Sequence, residues 1–229
     1  MKVSIIVPVF NEEKTIAAVI SKLKGVELKK LGLEKEIIAV NDASTDETRK
    51  ILSEIPGIKV LNHSKNRGKG AAIKTGIANS DGEIILIQDA DMEYNPKYIP
   101  PLLKPILEGE TEVSYGSRFI KGIRGNILLT HELGNRFLSF LTSVLFGQKI
   151  TDMETGYKAF KRSALSGISL KANRFDFEPE ITAKLLKKGF RIREIPIIFY
   201  ARSFKEGKKI TWRDGITAML VLFKYRLSD

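Results

Sequence analysis

No cysteine occurs among the 229 residues, which excludes a disulfide framework, thiol catalysis and cysteine-ligated zinc or iron–sulfur centres. Histidine is nearly as scarce. With only His63 and His131 present, and no G-x-S-x-G elbow, a Ser-His-Asp hydrolase has few bases to draw on. His131-Glu132-Leu133-Gly134-Asn135 begins like a zinc-protease helix, but asparagine stands where the second histidine ligand belongs. Long apolar runs are also missing: no window approaches about 18 uninterrupted apolar residues. The opening Met1-Lys2-Val3-Ser4-Ile5-Ile6-Val7-Pro8 turns polar too soon for a signal peptide. The expectation is a cytoplasmic protein that does not span a membrane.

What is present suits a globular chain, because 43% hydrophobic and 28% charged residues can fill a core and cover it. The length points to one large domain, or one domain with an appended element. The net charge of +11 is unevenly placed. Residues 1–110 carry 16 Lys/Arg and 16 Asp/Glu, whereas residues 111–229 carry 22 and 11. An excess confined to one half suggests a polyanionic partner there, such as lipid phosphates, a membrane surface or nucleic acid. Basic ribbons interleaved with aromatics are absent, so nucleic acid is not expected.

Short apolar runs alternate with helical patterns through the first half. Val3–Val9 reads as a buried strand and 13–24 as a helix with Ile16, Val19, Ile20 and Leu23 at helical spacing, Asn11 being its candidate N-cap. Strands at 36–40, 58–61 and 84–88 alternate with helices at 46–55, from near Lys69, and at 98–107. This alternation implies an α/β, mostly parallel sheet covered on both faces, with ligands outside the carboxyl ends of its strands. Beyond residue 111 the pattern is irregular. A strand is expected at 112–115, an amphipathic helix at 133–146, a helix at 178–188, a strand at 191–200 broken by Pro196, and a closing helix at 211–227.

Polar residues gather at the strand ends: Asn11-Glu12, then 41–46, then His63 to Gly70, then Asp89-Ala90-Asp91. Asp89, Asp91 and Glu93 bring three carboxylates close together, and such acids repel unless a cation or protons relieve them. Hard oxygens suit Mg²⁺ or Mn²⁺, which keep positions free for water and phosphate. The alternative is a turn of ordinary helix-capping acids. Gly68-Lys69-Gly70-Ala71-Ala72 opens a helix whose N–H groups could face an anion. It matches neither the dinucleotide fingerprint, since Ile73 replaces the third glycine, nor the P-loop, since Gly70 follows Lys69. In the second half, Arg118, Lys121, Arg124, Arg136, Arg202, Lys208 and Lys209 offer cations for phosphate, or merely a solvated basic face. The run 137–146 is apolar on most faces, which suits core, a dimer contact or a membrane interface.

Taken in order, Ser4 to Glu12, Val40 to Asp46, Asn66-Arg67-Gly68-Lys69-Gly70, Asp89-Ala90-Asp91, Gly116-Ser117-Arg118-Phe119 and Thr151 to Lys158 resemble a family 2 glycosyltransferase of the GT-A fold, in particular the polyprenyl-phosphate (dolichyl-phosphate) hexose synthases. The likeness spans roughly residues 3–210. It implies one Rossmann-like GT-A domain over 1–229, with a nucleotide-sugar half at 1–110 and an acceptor half at 111–229. It implies that Pro8, Phe10, Asn11, Glu12 and Asp42 hold the nucleoside. Asp89 and Asp91, with Glu93 at the position where lipid-mannosyl synthases usually carry glutamine, would place Mg²⁺ or Mn²⁺ on the diphosphate, with Ala90 between them and Lys69 nearby. Arg118 would grip the acceptor phosphate, and Arg202 and Lys209 would lie near the donor diphosphate. His131, Arg124 and Arg136 compete for a second acceptor contact, and Asn135 stands near a position where serine is expected.

The implied reaction transfers mannose or glucose, with inversion, from a GDP- or UDP-sugar to dolichyl or polyprenyl phosphate. Such an enzyme would sit peripherally on the cytoplasmic face of a membrane, alone or with a membrane-protein partner. A lipid monophosphate is already anionic at neutral pH and needs positive charge rather than a general base. The alternatives are a family 2 enzyme with a carbohydrate hydroxyl acceptor, using Asp152, Glu154 or Glu178 as base, and a non-catalytic protein that binds anionic membranes or nucleic acid.

Overall fold

The structure, a computed structural model, describes residues 1–121, 123–125, 129–201 and 212–228. The first half alternates as expected: β1 (Lys2–Val9), α1 (Ile16–Gly25), β2 (Glu34–Asn41), α2 (Thr48–Glu54), β3 (Lys59–Asn62), α3 (Lys69–Ala78), β4 (Ile84–Ile87) and α4 (Ile99–Leu107). The second half supplies β5 (Val113–Ser117), α5 (Arg118–Lys121), β6 (Ile123–Gly125), α6 (Leu129–Phe146), β7 (Lys158–Lys161), α7 (Phe177–Lys187), β8 (Ile192–Pro196), β9 (Phe199–Ala201) and α8 (Trp212–Leu227). Seven strands form one sheet in the order β3-β2-β1-β4-β7-β5-β8, and β6 pairs with β9 in a small second sheet. Among the described residues no helix is long and apolar enough to cross a membrane.

β1 reads as an unbroken apolar run because both its faces are covered. Val3, Ile5, Val7 and Val9 join one cluster with α1 and α4; Ile6 joins the other, with α3, α7 and α8. Pro8, buried at a position where a central strand normally needs its N–H, is tolerated for a geometric reason. The Gln88 N–H donates to Ile6 O and the Asp42 N–H to Val9 O, so the even residues of β1 face β4 and the odd ones face β2. The β1–β4 ladder ends at Ile6↔Ile87. Pro8 therefore lies one rung beyond it, and the missing donor leaves no gap in the ladder.

Three local expectations are corrected. Asn11 does not cap α1; the helix starts five residues later, after Thr15, and Asn11 is left-handed with φ 52°. The 191–200 segment divides into β8, which ends at Pro196, and β9, in a different sheet. β7 was not anticipated, because four residues bounded by lysines carry little strand signal. It runs antiparallel between β4 and β5, with Ile87 opposite Lys158. This pairing places the entry to β7 beside the exit of β4.

Candidate active site

The loops after β1 and β2 are stitched to each other. The Asn11 N–H donates to Ser44 Oγ at 3.0 Å, and its side-chain Oδ1 accepts the Thr45 N–H at 2.8 Å. Glu12 is buried, its N–H donating to Thr48 Oγ1 and its Oε2 accepting from Thr15 Oγ1, both at 2.9 Å. Phe10 is half-buried beside them. Asparagine tolerates the left-handed region, whereas Ala43 at φ 58° stores strain of about 1–2 kcal/mol. Strain of this kind persists only where the surroundings hold it, as they commonly do at functional sites. A cleft of about 650 Å³, lined by Ser44, Thr45, Asp46, Arg49, Val60 and Asn62 among others, opens on the α2 side of these loops.

Asp42 is 2% exposed, and both its carboxylate oxygens are engaged within the protein. Oδ1 meets His63 Nδ1 at 2.7 Å and accepts the Arg67 N–H at 2.8 Å, while Oδ2 accepts the Gly68 N–H at 2.7 Å. His63 Nε2 continues to Thr75 Oγ1 at 2.9 Å. Asp42 thus fixes the loop that delivers Lys69. The glycine-rich start of α3 is not an open anion cradle, since the Ala71 N–H donates to Asn173 O. A Cβ on Gly68, whose φ is +95°, would lie 2.4 Å from that same oxygen, so glycine is required there by backbone conformation and by close approach.

Lys69 then reaches into the end of β4. Its Nζ lies 2.8 Å from Asp89 Oδ1 and 2.9 Å from Glu178 Oε1. Burial alone would depress this ammonium, but the two carboxylates outweigh it and hold the pKa well above the ordinary lysine range. Ala90 packs in the core and Asp91 is buried, with its Oδ1 accepting the Glu93 N–H at 3.1 Å. Asp89, Asp91 and Glu93 do not gather into one cage: among the described residues no three His, Asp or Glu side chains are grouped to hold an ion. Two neighbouring aspartates still fit a divalent ion that completes its shell with substrate phosphates and water.

The loop entering β7 closes the opposite side. A Cβ on Gly156 would fall 2.2 Å from Asp89 Oδ2, and the Gly156 N–H donates to Tyr94 Oη at 3.1 Å. Lys158 is fully buried and donates to the carbonyls of Met153 and Thr155, pinning that loop. Burial lowers its pKa to about 8, with Glu178 and Glu154 opposing the shift. Burial, and then the charge of Glu178, raises Glu154 to about 8.

Arg118 forms a two-pronged pair with Asp152, Nε to Oδ2 at 2.7 Å and Nη2 to Oδ1 at 2.6 Å, and both residues are buried. Asp152 and Asp89 lie on the two loops that Gly156 brings together, so the Arg118–Asp152 pair and Asp89 stand on adjoining segments. Arg118 also stands over the rings of Phe119 and Phe199. Arg136 also stands over the ring of Phe119, 4.6 Å from its centroid, and pairs with Glu132 on the exposed face of α6. His131 and Asn135 are half-buried on the same helix. The side chain of Arg124, and the whole of Arg202 and Lys209, lie outside the described residues. Sequence reasoning gave Glu178 only as a candidate base and Lys158 only as part of a motif. Acids in a helix's first turn and lysines beside a strand are ordinarily solvated.

Comparison with known proteins gives the family. Residues 4–168 match the model of glycosyl transferase family 2. A protein of Methanocaldococcus jannaschii is 33% identical over 97% of this chain and 90% of its own length. The UDP-N-acetylglucosamine–dolichyl-phosphate N-acetylglucosaminyltransferase of Methanococcus voltae is 32% identical over 96% of this chain and 95% of its own. The dolichol-phosphate mannosyltransferase of Pyrococcus furiosus is 28% identical over 91% of this chain and 59% of its own. Among solved structures, glucosyl-3-phosphoglycerate synthase of Mycobacterium tuberculosis, crystallised with Mn²⁺, UDP and glucosyl-3-phosphoglycerate, shares the fold. Its TM-score is 0.77 at 20% identity, covering 100% of this chain and 81% of that one. The sheet with its helices is the GT-A architecture, the motifs lie at its strand ends in the family's order, and the chain is a glycosyltransferase belonging to glycosyl transferase family 2.

Proposed function

We propose that this glycosyltransferase moves a sugar from a GDP- or UDP-activated donor to dolichyl or polyprenyl phosphate by single displacement with inversion. The observation that carries this reading is the close approach of the loop after β4 and the loop entering β7. Asp89 at the end of β4 packs against Gly156, on the loop whose Asp152 pairs with Arg118 of α5, which supports adjoining places for a donor diphosphate and an anionic acceptor. Mg²⁺ or Mn²⁺, bound by Asp89 and Asp91 with the diphosphate, would supply counter-charge to the leaving group. Phe10, Asn11 and Glu12 would border the nucleoside, with Asp42 acting through the loop it fixes. The names of the M. voltae and P. furiosus relatives support a lipid-phosphate acceptor. The former adds N-acetylglucosamine to mannose and glucose as sugars to test.

A second reading, transfer to a carbohydrate hydroxyl, is favoured by one observation. Of the three candidate bases, Asp152 is paired with Arg118 and Glu178 with Lys69. Glu154, raised to about 8 by burial, remains as a carboxyl basic enough to assist a hydroxyl. The deciding assay gives purified protein Mg²⁺ or Mn²⁺, then GDP-mannose, UDP-glucose or UDP-N-acetylglucosamine, with polyprenyl phosphate or free sugars as acceptor. Lipid-linked sugar supports the first reading. Transfer only to soluble hydroxyls establishes the second, and the first is then wrong.

A further inference from the structure

The turn that carries the aspartates is closed on itself. Gln88, wholly buried at the exit of β4, donates through its amide nitrogen to Asp89 O at 3.1 Å and to Tyr94 O at 3.2 Å. The two ends of the 89–94 turn are therefore tied together, and Tyr94 is the end that reaches the rest of the protein. Its side chain is buried, and burial pushes its phenol above the ordinary range, so it stays a neutral hydroxyl rather than a proton acceptor.

Tyr94 makes two sets of contacts, which lead to different sides of the site. Its hydroxyl accepts the Gly156 N–H at 3.1 Å. That glycine has no room for a Cβ, because Asp89 Oδ2 would lie 2.2 Å away, so the hydroxyl holds the Gly156 backbone against the carboxylate. The Tyr94 ring lies 5.4 Å from that of Tyr157 and 5.0 Å from that of Phe199, both tilted, as aromatic pairs prefer. The main chain follows the ring: Tyr94 bridges Phe199, and the Tyr200 N–H donates to Glu93 O at 3.2 Å. The Arg118 guanidinium stands over the Phe199 ring, 5.2 Å from its centroid, where the quadrupole of a buried aromatic face attracts it. Packing alone does not call for the hydroxyl at 94. A phenylalanine fills the same space, and a buried tyrosine oxygen is kept where it has a partner.

We infer that Tyr94 is a positioning residue: its hydroxyl sets Asp89 through Gly156, and its ring sets Arg118 through Phe199. The roles of Asp89 and Arg118 rest on the function proposed above; the contacts through which Tyr94 holds them do not. Amide hydrogen exchange on the ligand-free chain reads the holding itself. Tyr94→Phe should raise exchange at least about tenfold across 152–157 and 89–93 while β1 and β2 exchange as in wild type, the pattern of a local opening. Tyr115→Phe removes another buried hydroxyl, which meets Thr182 Oγ1 at 3.0 Å, and should leave both segments as they are. Unchanged exchange in Tyr94→Phe, a rise spread evenly over the sheet, or the same local rise in Tyr115→Phe overturns the inference.

Titration with UDP or GDP in the presence of Mn²⁺, and transfer kinetics, read the consequence. Tyr94→Phe should weaken nucleotide binding at least about tenfold, the usual scale for losing a group that orients a metal-side ligand, and leave the acceptor KM unchanged. Phe199→Leu keeps the hydroxyl contact and should do the reverse, raising the acceptor KM while nucleotide affinity holds. A fall in both by either variant, in step with the melting temperature, is the mark of folding alone and overturns the inference too. If wild type binds neither nucleotide while the exchange pattern holds, only the proposed function falls. If wild type binds nucleotide and glycosylates polyprenyl phosphate and both variants match it, only the positioning falls.

Discussion

At Lys69 one ammonium compensates two carboxylates, half-buried Asp89 and buried Glu178. Lys69→Met should lower unfolding free energy in urea by about 3–5 kcal/mol, the usual cost of stranding a buried partner; a loss under about 1 kcal/mol would show that water already screens the trio. Gly156→Ala is expected to displace Asp89 and cut transfer at least about tenfold, or 1.4 kcal/mol of barrier, with full turnover by the variant as the contrary result. Glu154 gives a pH signature. Its folded pKa of about 8 stands above its ordinary 4.5, so the folded state binds the extra proton between those values. Stability from this group is complete below about 4.5 and is lost as pH rises through 8. Lys158, lowered to about 8 from 10.5, opposes folding below 8 and ceases to do so as pH approaches 10.5. Chemical denaturation of wild type should therefore show a decline from pH 5 to 8 that Glu154→Gln flattens. The sequence displayed Asp89, Asp91 and Arg118 because adjoining acids, and an arginine beside small polar residues, are visible in one dimension. It did not display that Arg118 and Asp152, 34 residues apart, neutralise each other, or that Asp42 holds down the loop after β3. Those are properties of which oxygens meet which donors.

Among the elements, periodicity was a good guide where an apolar run is buried on both faces, as in β1 and β4, or on one stripe, as in α1. It gave the helix but left the use of its faces open where the stripe is doubled. α6 reads as amphipathic in several directions because one face packs on the core and the opposite one does not. Leu138→Ala on the inner face should cost about 2–4 kcal/mol in thermal or urea unfolding, whereas Phe140→Ser on the outer face should stay within about 0.5 kcal/mol. Similar losses at the two positions would mean that the outer stripe is covered in solution. β7 escaped notice for a different reason. Lys158 at its start is wholly buried, satisfied by the carbonyls of Met153 and Thr155, and a lysine in a core strand contradicts every compositional prior for such strands.

For the whole molecule, the charge division between residues 1–110 and 111–229 suggests two bodies, yet the sheet order β4-β7-β5 inserts a strand from the second half against a strand from the first. An isolated 1–110 fragment leaves the edge of β4 unpaired and the core around α3 uncovered, and it should lack a cooperative thermal transition by circular dichroism. A sharp, two-state melt of that fragment would establish an independent domain. The reversal of β7 also has a bearing on how such an enzyme changes its preferences. Had that strand run with its neighbours, its outgoing bend at Lys161 would have stood beside Asp89, and the Asp152 to Gly156 segment would have hung at the far rim. Running against them, it carries the Asp152 to Gly156 segment up to Asp89, so under the proposed function replacements in that one stretch would redirect what is glycosylated while the loops after β1 and β2 stay as they were.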